Sequence, residues 1–223
     1  MLKRGSFFMA LFAVLLGFVL VGCGGGNPQR GASSQASQSK PQADNKAAFA
    51  EINKILDMEL VKKENDAAAR TTYYRPFTEF GLYPSWQVTQ IGDTVRMDAV
   101  IVDGTKWDKA KGTDPWVYWH TIIFSTDEKK WEYQIPNCDG HTGGGKEVSK
   151  NNTGQYDYYE TAFYNLAPGY RLLVEGTNPK SRLKGVNKRK DMKVTAEMVA
   201  ALKAGLRLDE LFISTRGKIE RAQ

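Results

Sequence analysis

Trp86-Gln87-Val88-Thr89-Gln90-Ile91-Gly92-Asp93-Thr94-Val95-Arg96-Met97-Asp98-Ala99-Val100-Ile101-Val102-Asp103 reads as two strands about a tight turn. Trp86–Ile91 runs into Gly92-Asp93, a pair suited to reversing a hairpin. Thr94–Asp103 then alternates. Val95, Met97, Ala99 and Ile101 share one face, and Arg96 and Asp98 the other. That period of two belongs to a strand with one face on a core.

Downstream, Trp116–Ser125 is apolar on both faces, as expected of a central strand. Asp127–Lys130 is a charged turn, after which Trp131, Tyr133 and Ile135 alternate with Glu132 and Gln134. Asn137–Thr153 reads as loop. Tyr156–Leu166 and Tyr170–Glu175 read as strands joined at Ala167-Pro168-Gly169, and Lys180–Lys193 as basic and irregular. Thr195 suits the N-cap of a helix to about Leu206, with Met198, Val199 and Leu202 facing inward. Leu211–Ile213 and Lys218–Ile219 suit a closing strand. Upstream, Lys46 to about Arg70 reads as a helix capped by Asp44 or Asn45, with Phe49, Ile52 and Leu56 in one stripe. Tyr73–Ser85 reads as an aromatic loop. Short strands with turns at intervals of roughly 8–12 residues imply a sandwich. The expected fold is therefore mostly β, an antiparallel sandwich with an N-terminal and a C-terminal helix. The alternative is an α+β fold, one helix packed on a curved antiparallel sheet.

Thr161-Ala162-Phe163-Tyr164-Asn165-Leu166-Ala167-Pro168-Gly169-Tyr170-Arg171-Leu172-Leu173-Val174 resembles the late strand pair of fibronectin type III domains. There a Leu-x-Pro-Gly turn leads into a Tyr-bearing strand, usually with the tyrosine further from the glycine than here. The resemblance implies an immunoglobulin-like arrangement of the sheets.

The chain opens with Lys3-Arg4, followed by an apolar run from Phe7 to Val21. About 15 residues is short of the roughly 20 that span a bilayer as a helix. A basic start, such a run and small residues after it describe a secretory signal. Leu20-Val21-Gly22-Cys23 resembles the lipobox of bacterial lipoproteins. The resemblance implies cleavage before Cys23 and attachment of a diacylglycerol to its thiol, with acyl chains of the palmitate kind. Gly24 is not the aspartate that retains such proteins at the inner membrane. The implied location is the cell membrane or outer membrane, facing away from the cytoplasm. Residues 23–45 are rich in Gly, Ser, Gln and Ala and read as a tether. Residues 46–223 then form one folded domain, long enough to bury a core.

Loss of residues 1–22 removes Lys3 and Arg4 from 31 basic residues, leaving 29 against 25 acidic ones, or +4. The densest basic stretch is Lys184–Lys193, a solvated loop or a contact for anionic head groups or acidic polymers. An exported chain is a poor nucleic-acid partner. With Cys23 used by the anchor, Cys138 has no disulfide partner.

Gly140-His141-Thr142-Gly143-Gly144-Gly145-Lys146 fits Gly-x4-Gly-Lys, yet Glu147 stands where a phosphate loop needs Ser or Thr. A glycine-rich turn is the better reading, and no cofactor is expected. Cys138, Asp139 and His141 form the chain's Cys/His cluster, a thiol nucleophile and base if they converge. His120 lies among strand residues and reads as core. A metal site would need carboxylates that no spacing supplies, so none is expected. Trp107, in a polar loop, is the best candidate for an aromatic platform, with Tyr83 second. No Gly-x-Ser-x-Gly or His-Glu-x-x-His occurs. The expected function is a non-enzymatic binding or assembly lipoprotein of the envelope, contacting a protein or glycan. The alternatives are an aromatic-lined glycan-binding module and a hydrolase using Cys138 and His141.

Overall fold

The computed structural model describes residues 41–76, 84–106, 117–140, 143–151 and 154–219. The protein is mostly β, with two antiparallel sheets and helices toward both ends. Helix α1 (Pro41–Leu56) leads into β1 (Val61–Asp66), β2 (Thr71–Pro76), β3 (Ser85–Ile91) and β4 (Thr94–Lys106). Then come β5 (Thr121–Ser125), β6 (Lys130–Gln134), β7 (Lys146–Asn151) and β8 (Gly154–Ala162). Helix α2 (Phe163–Glu175), β9 (Lys180–Lys184), β10 (Arg189–Lys193) and α3 (Ala196–Thr215) complete the described elements. The first sheet runs β1-β2-β3-β4-β8-β7 and the second β10-β9-β5-β6. All lie in one compact unit, Gln38–Gln223.

The opening hairpin forms as its alternation demands. Gln87 pairs with Asp98, Thr89 with Arg96 and Ile91 with Thr94, about a turn with Gly92 at φ 58°. Its inner face carries Trp86, Val88, Ala99 and Ile101, all fully buried. Tyr74 and Tyr159 extend that face across β2 and β8. Helix α3 lies on it. Thr195 caps the helix, its Oγ1 accepting from the Met198 amide at 3.2 Å. Met198, Leu202, Leu208 and Phe212 recur at helical spacing and are buried. The Trp86 indole donates to the Ala201 carbonyl at 2.6 Å, satisfying the one polar atom that burial would strand.

Several elements differ from the reading of the sequence. The first helix starts at Pro41 and ends at Leu56, not near Arg70. Val61–Asp66 and Thr71–Pro76 form a hairpin instead, closed by Arg70 at φ 51°. Strand β1 is an edge, so its Lys-Lys-Glu-Asn-Asp run meets water and looks like a solvated helix face. Strand β7 lies in the expected Asn137–Thr153 loop, and β9 and β10 pair where Lys180–Lys193 was expected to be irregular. Helix α3 continues to Thr215, absorbing the expected strand at Leu211–Ile213. Lys218 makes only a single bridge to Thr94.

The largest correction is α2. Tyr156–Ala162 is strand, but Phe163–Glu175 is helix, so the strand pair and Pro-Gly turn are not formed. Phe163, Leu166, Ala167, Tyr170 and Leu173 are buried at spacings of three and four. Pro168 lies on the exposed side. Gly169 serves packing rather than a turn: a Cβ there would stand 2.4 Å from carbons of both Phe124 and Trp131. Helix α2 thus presses on the second sheet through that gap and also contacts β4 and β8 of the first. The sheets meet directly where the Tyr133 and Tyr159 hydroxyls lie 3.0 Å apart.

Candidate functional site

The expected site residues fall into two groups. Cys23, Tyr83, Trp107 and His141 lie outside the described residues. Cys138 and Asp139 lie within them, on the segment between β6 and β7. Cys138 is half-buried against the core, and its sulfur accepts from the Gly140 amide at 3.4 Å. Asp139 is exposed. One side chain is turned to the core and its neighbour to solvent.

The lysine ending the Gly-x4-Gly-Lys match has a definite place. Lys146 begins β7, opposite Tyr159, and its side chain is fully buried. Its ammonium lies 3.0 Å from Asp157 Oδ2, donates to the Gly140 carbonyl at 2.5 Å, and sits 4.7 Å from the Trp119 ring centroid. The glycines before it turn the chain: Gly140, Gly143, Gly144 and Gly145 all have positive φ. The loop is therefore a clasp whose lysine points inward, where no phosphate can reach it. Asp157 pairs across the sheet with Asp103, also buried, and Asp103 is met by Lys190 of β10. Two buried carboxylates and two ammonium groups thus balance where the sheets approach. Such groups stay charged in a core only when paired and hydrogen-bonded.

A second constellation covers the outer face of the first sheet. Strand alternation places Arg75, Ser85, Gln87, Arg96, Asp98, Val100, Val102, Tyr158 and Glu160 there. Arg96 Nε donates to Asp98 at 2.6 Å and its Nη2 to Glu160. The Tyr158 hydroxyl donates to the other Glu160 oxygen at 2.5 Å. Burial pushes the Asp98 carboxyl above its ordinary range, against the pull of Arg96. Burial, with the Glu160 charge beside it, likewise raises the Tyr158 phenol, which stays protonated as a donor.

Beside this network is a small cavity of about 30 Å³, lined by Arg75, Ser85, Trp86, Gln87, Val100, Val102 and Tyr158. That is room on the order of two water molecules, or one small polar group. Ser85 is 2 % exposed, and its Oγ has no hydrogen-bond partner among the described residues. Sequence reasoning missed this place. The sequence reads Ser85 as the end of a loop, and only the β2–β3–β4–β8 register brings it beside Tyr158. The expectation that no Ser-x-x-Lys occurs is corrected by Ser181-Arg182-Leu183-Lys184, which fits that spacing. On strand β9, Ser181 is buried and Lys184 exposed, on opposite faces, so they cannot act together.

Among the described residues no group of three or more His, Cys, Asp or Glu side chains is placed to hold a metal, and no helix is long and apolar enough to cross a membrane. Compared with protein-family models, with curated proteins and with solved structures, the chain matches none.

Proposed function

We propose that the chain is a lipid-anchored binding module of the cell envelope, held at Cys23 outside the cytoplasm, with the outer face of its first sheet as recognition surface. The observation that carries the reading is the Ser85 hydroxyl, buried and without a partner among the described residues on the wall of a small cavity. A stranded buried hydroxyl costs about 1–3 kcal/mol, an expense that a ligand group donating or accepting there removes. The groups around it are a guanidinium, an amide, a phenol and two valines, which hold and orient. The anchor rests on Leu20-Val21-Gly22-Cys23.

Two experiments test the parts separately. Cys23→Ser abolishes acyl-chain labelling and leaves the precursor uncut; normal processing of that variant ends the anchor reading. A photo-crosslinker at Thr89, on the recognition face, gives an envelope adduct in cells that one at Ile213, exposed on α3, does not. Identical adducts from both positions, or none from Thr89, end the surface reading. A glycan partner is favoured over a protein by Tyr73, which stands in register with Thr89 on the same face as Tyr158 and offers a second ring. Trp107 and Tyr83 remain its proposed companions.

A further inference from the structure

Lys180–Lys193 forms one edge of a charged sheet face. In the second sheet β9 pairs with β10 on one side and β5 on the other, and β5 with β6. The register stacks Arg189, Lys184, Thr121 and Gln134 in one row. Asp191, Arg182, Ile123 and Glu132 form the next, and Lys193, Lys180, Ser125 and Lys130 the third. Alternation sends these twelve side chains to one side, while Ser181, Leu183, Ile122 and Phe124 enter the core. The outer face holds six cations and two carboxylates, a balance of +4. The chain from Cys23 onward also totals +4, so the rest of it is neutral. Asp191 pairs with Arg182 and Glu132 with Lys130. Lys180, Lys184, Arg189 and Lys193 are exposed and make no ion pair among the described residues.

We propose that this face docks on the surface of an anionic phospholipid bilayer. Four strands and five residues per strand give a plane of about 14 by 16 Å, over which unpaired ammonium and guanidinium groups can meet lipid phosphates together. The β9–β10 turn adds Val186, 76 % exposed at the hairpin tip, an aliphatic group placed to enter the head-group layer. The inference rests on the anchoring proposed above for its choice of occupant. Only 17 residues lie between Cys23 and α1, and a flexible tether of that length would span on the order of 25 Å from end to end. Held so close, the face meets lipid at an effective concentration in the millimolar range, where weak attraction suffices.

The test uses the chain from residue 23 onward with Cys23→Ser, so that acylation contributes nothing and the compact unit stays whole. Partitioning is measured on vesicles of phosphatidylcholine with roughly a third phosphatidylglycerol, and on phosphatidylcholine alone, at low and high salt. The expected result is partitioning onto the anionic vesicles only, lost at high salt. Each basic residue near such a surface is worth about five-fold. Lys184→Gln with Arg189→Gln then lowers partitioning about 25-fold. Adding Lys180→Gln and Lys193→Gln brings it to the level on neutral vesicles. A control removing Lys46, Lys54, Lys203 and Lys218, exposed elsewhere, changes it less than five-fold, and unfolding curves check that each variant is folded. Equal partitioning onto both vesicle types, or equal loss in the control, overturns the proposal. So does a chain that ignores vesicles but is retained by a soluble acidic polymer. Failure of acyl labelling would remove the anchor without touching this result, so the two readings fail separately.

Discussion

Replacing Lys146 by methionine should be the most damaging single change that leaves the surface intact. The side chain is fully buried, 3.0 Å from the Asp157 carboxylate, and it donates to the Gly140 carbonyl. Methionine fills similar volume but supplies neither charge nor donor. Removing one member of a buried ion pair costs about 3–5 kcal/mol, chiefly because the remaining charge loses its compensation. A domain of this size has roughly 5–15 kcal/mol of stability, so the loss is about a fifth of the total or more. At about 2–4 °C per kcal/mol, Tm should fall by roughly 6–20 °C. Urea unfolding of wild type, Lys146→Met, Asp157→Asn and the double variant completes a cycle. The double variant should be more stable than the sum of the single losses predicts, with a coupling of about 2 kcal/mol. A single-variant loss under about 1 kcal/mol, or strictly additive losses, would refute the clasp. So would a Lys146→Met protein of normal stability that has lost its cellular activity, since that would make the lysine a working group.

Gly169→Ala sets two effects against each other. Helix propensity favours alanine by about 1 kcal/mol. The new methyl, 2.4 Å from Phe124 and Trp131 carbons, overpacks the interface by about 1–3 kcal/mol or more. Net destabilisation is expected in urea titration, and a more stable variant would show that α2 does not press on that ring pair. Asp98 gives a pH signature. Its folded carboxyl is raised above 3.8, so its contribution to stability is present at low pH and lost as pH rises through the folded value. Acidification from neutrality toward about pH 4 should therefore favour wild type over Asp98→Asn, and a gap moving the other way would contradict the assignment. Cys138→Ser should cost less than about 1 kcal/mol, because a hydroxyl can also accept from the Gly140 amide. Loss of cellular function in a variant that unfolds normally would restore Cys138 as a nucleophile.

The hairpin from Trp86 to Asp103 was legible because its strands are interior, with one face in the core and one outside, so period two is written in hydrophobicity. Strand β5 was legible for the opposite reason: Ile122 and Phe124 fill the core, and Thr121 and Ile123, on the outward side, are nearly inaccessible as well. Three of the unread strands are edges, while two others, β2 and β9, are interior. β1, β7 and β10 carry VKKEND, KEVSKN and RKDMK, charged where an edge must discourage pairing with other chains. That same charge imitates a loop or a solvated helix. β6 is an edge too, but Trp131 and Tyr133 point inward and betray it. Helix α2 was hidden by Pro168-Gly169, the strongest turn signal in that stretch. Its helical spacing, Phe163, Leu166, Ala167, Tyr170, was present but lost to the local cue. The Ser85 cavity could not be read at all. It needs four strands in register, and Ser85 and Tyr158 are far apart along the chain.

The two surfaces singled out belong to different sheets and both look away from the shared core, so their chemistry should separate cleanly. Sites on separate sheets that share no partner behave additively. A change at Ser85 should alter the Thr89 adduct without changing vesicle partitioning. Loss of Lys184 and Arg189 should do the reverse in the unanchored chain. In the anchored chain the two become linked through orientation, not through contact. Under the proposed anchoring and docking, the Tyr158 face would be turned away from lipid, and removing the basic charges would remove that orientation. The Thr89 adduct should then weaken in cells although its own residues are untouched. An adduct that stays at full yield in that variant would mean that the tether alone presents the recognition face, and that the charge of the second sheet serves some other end.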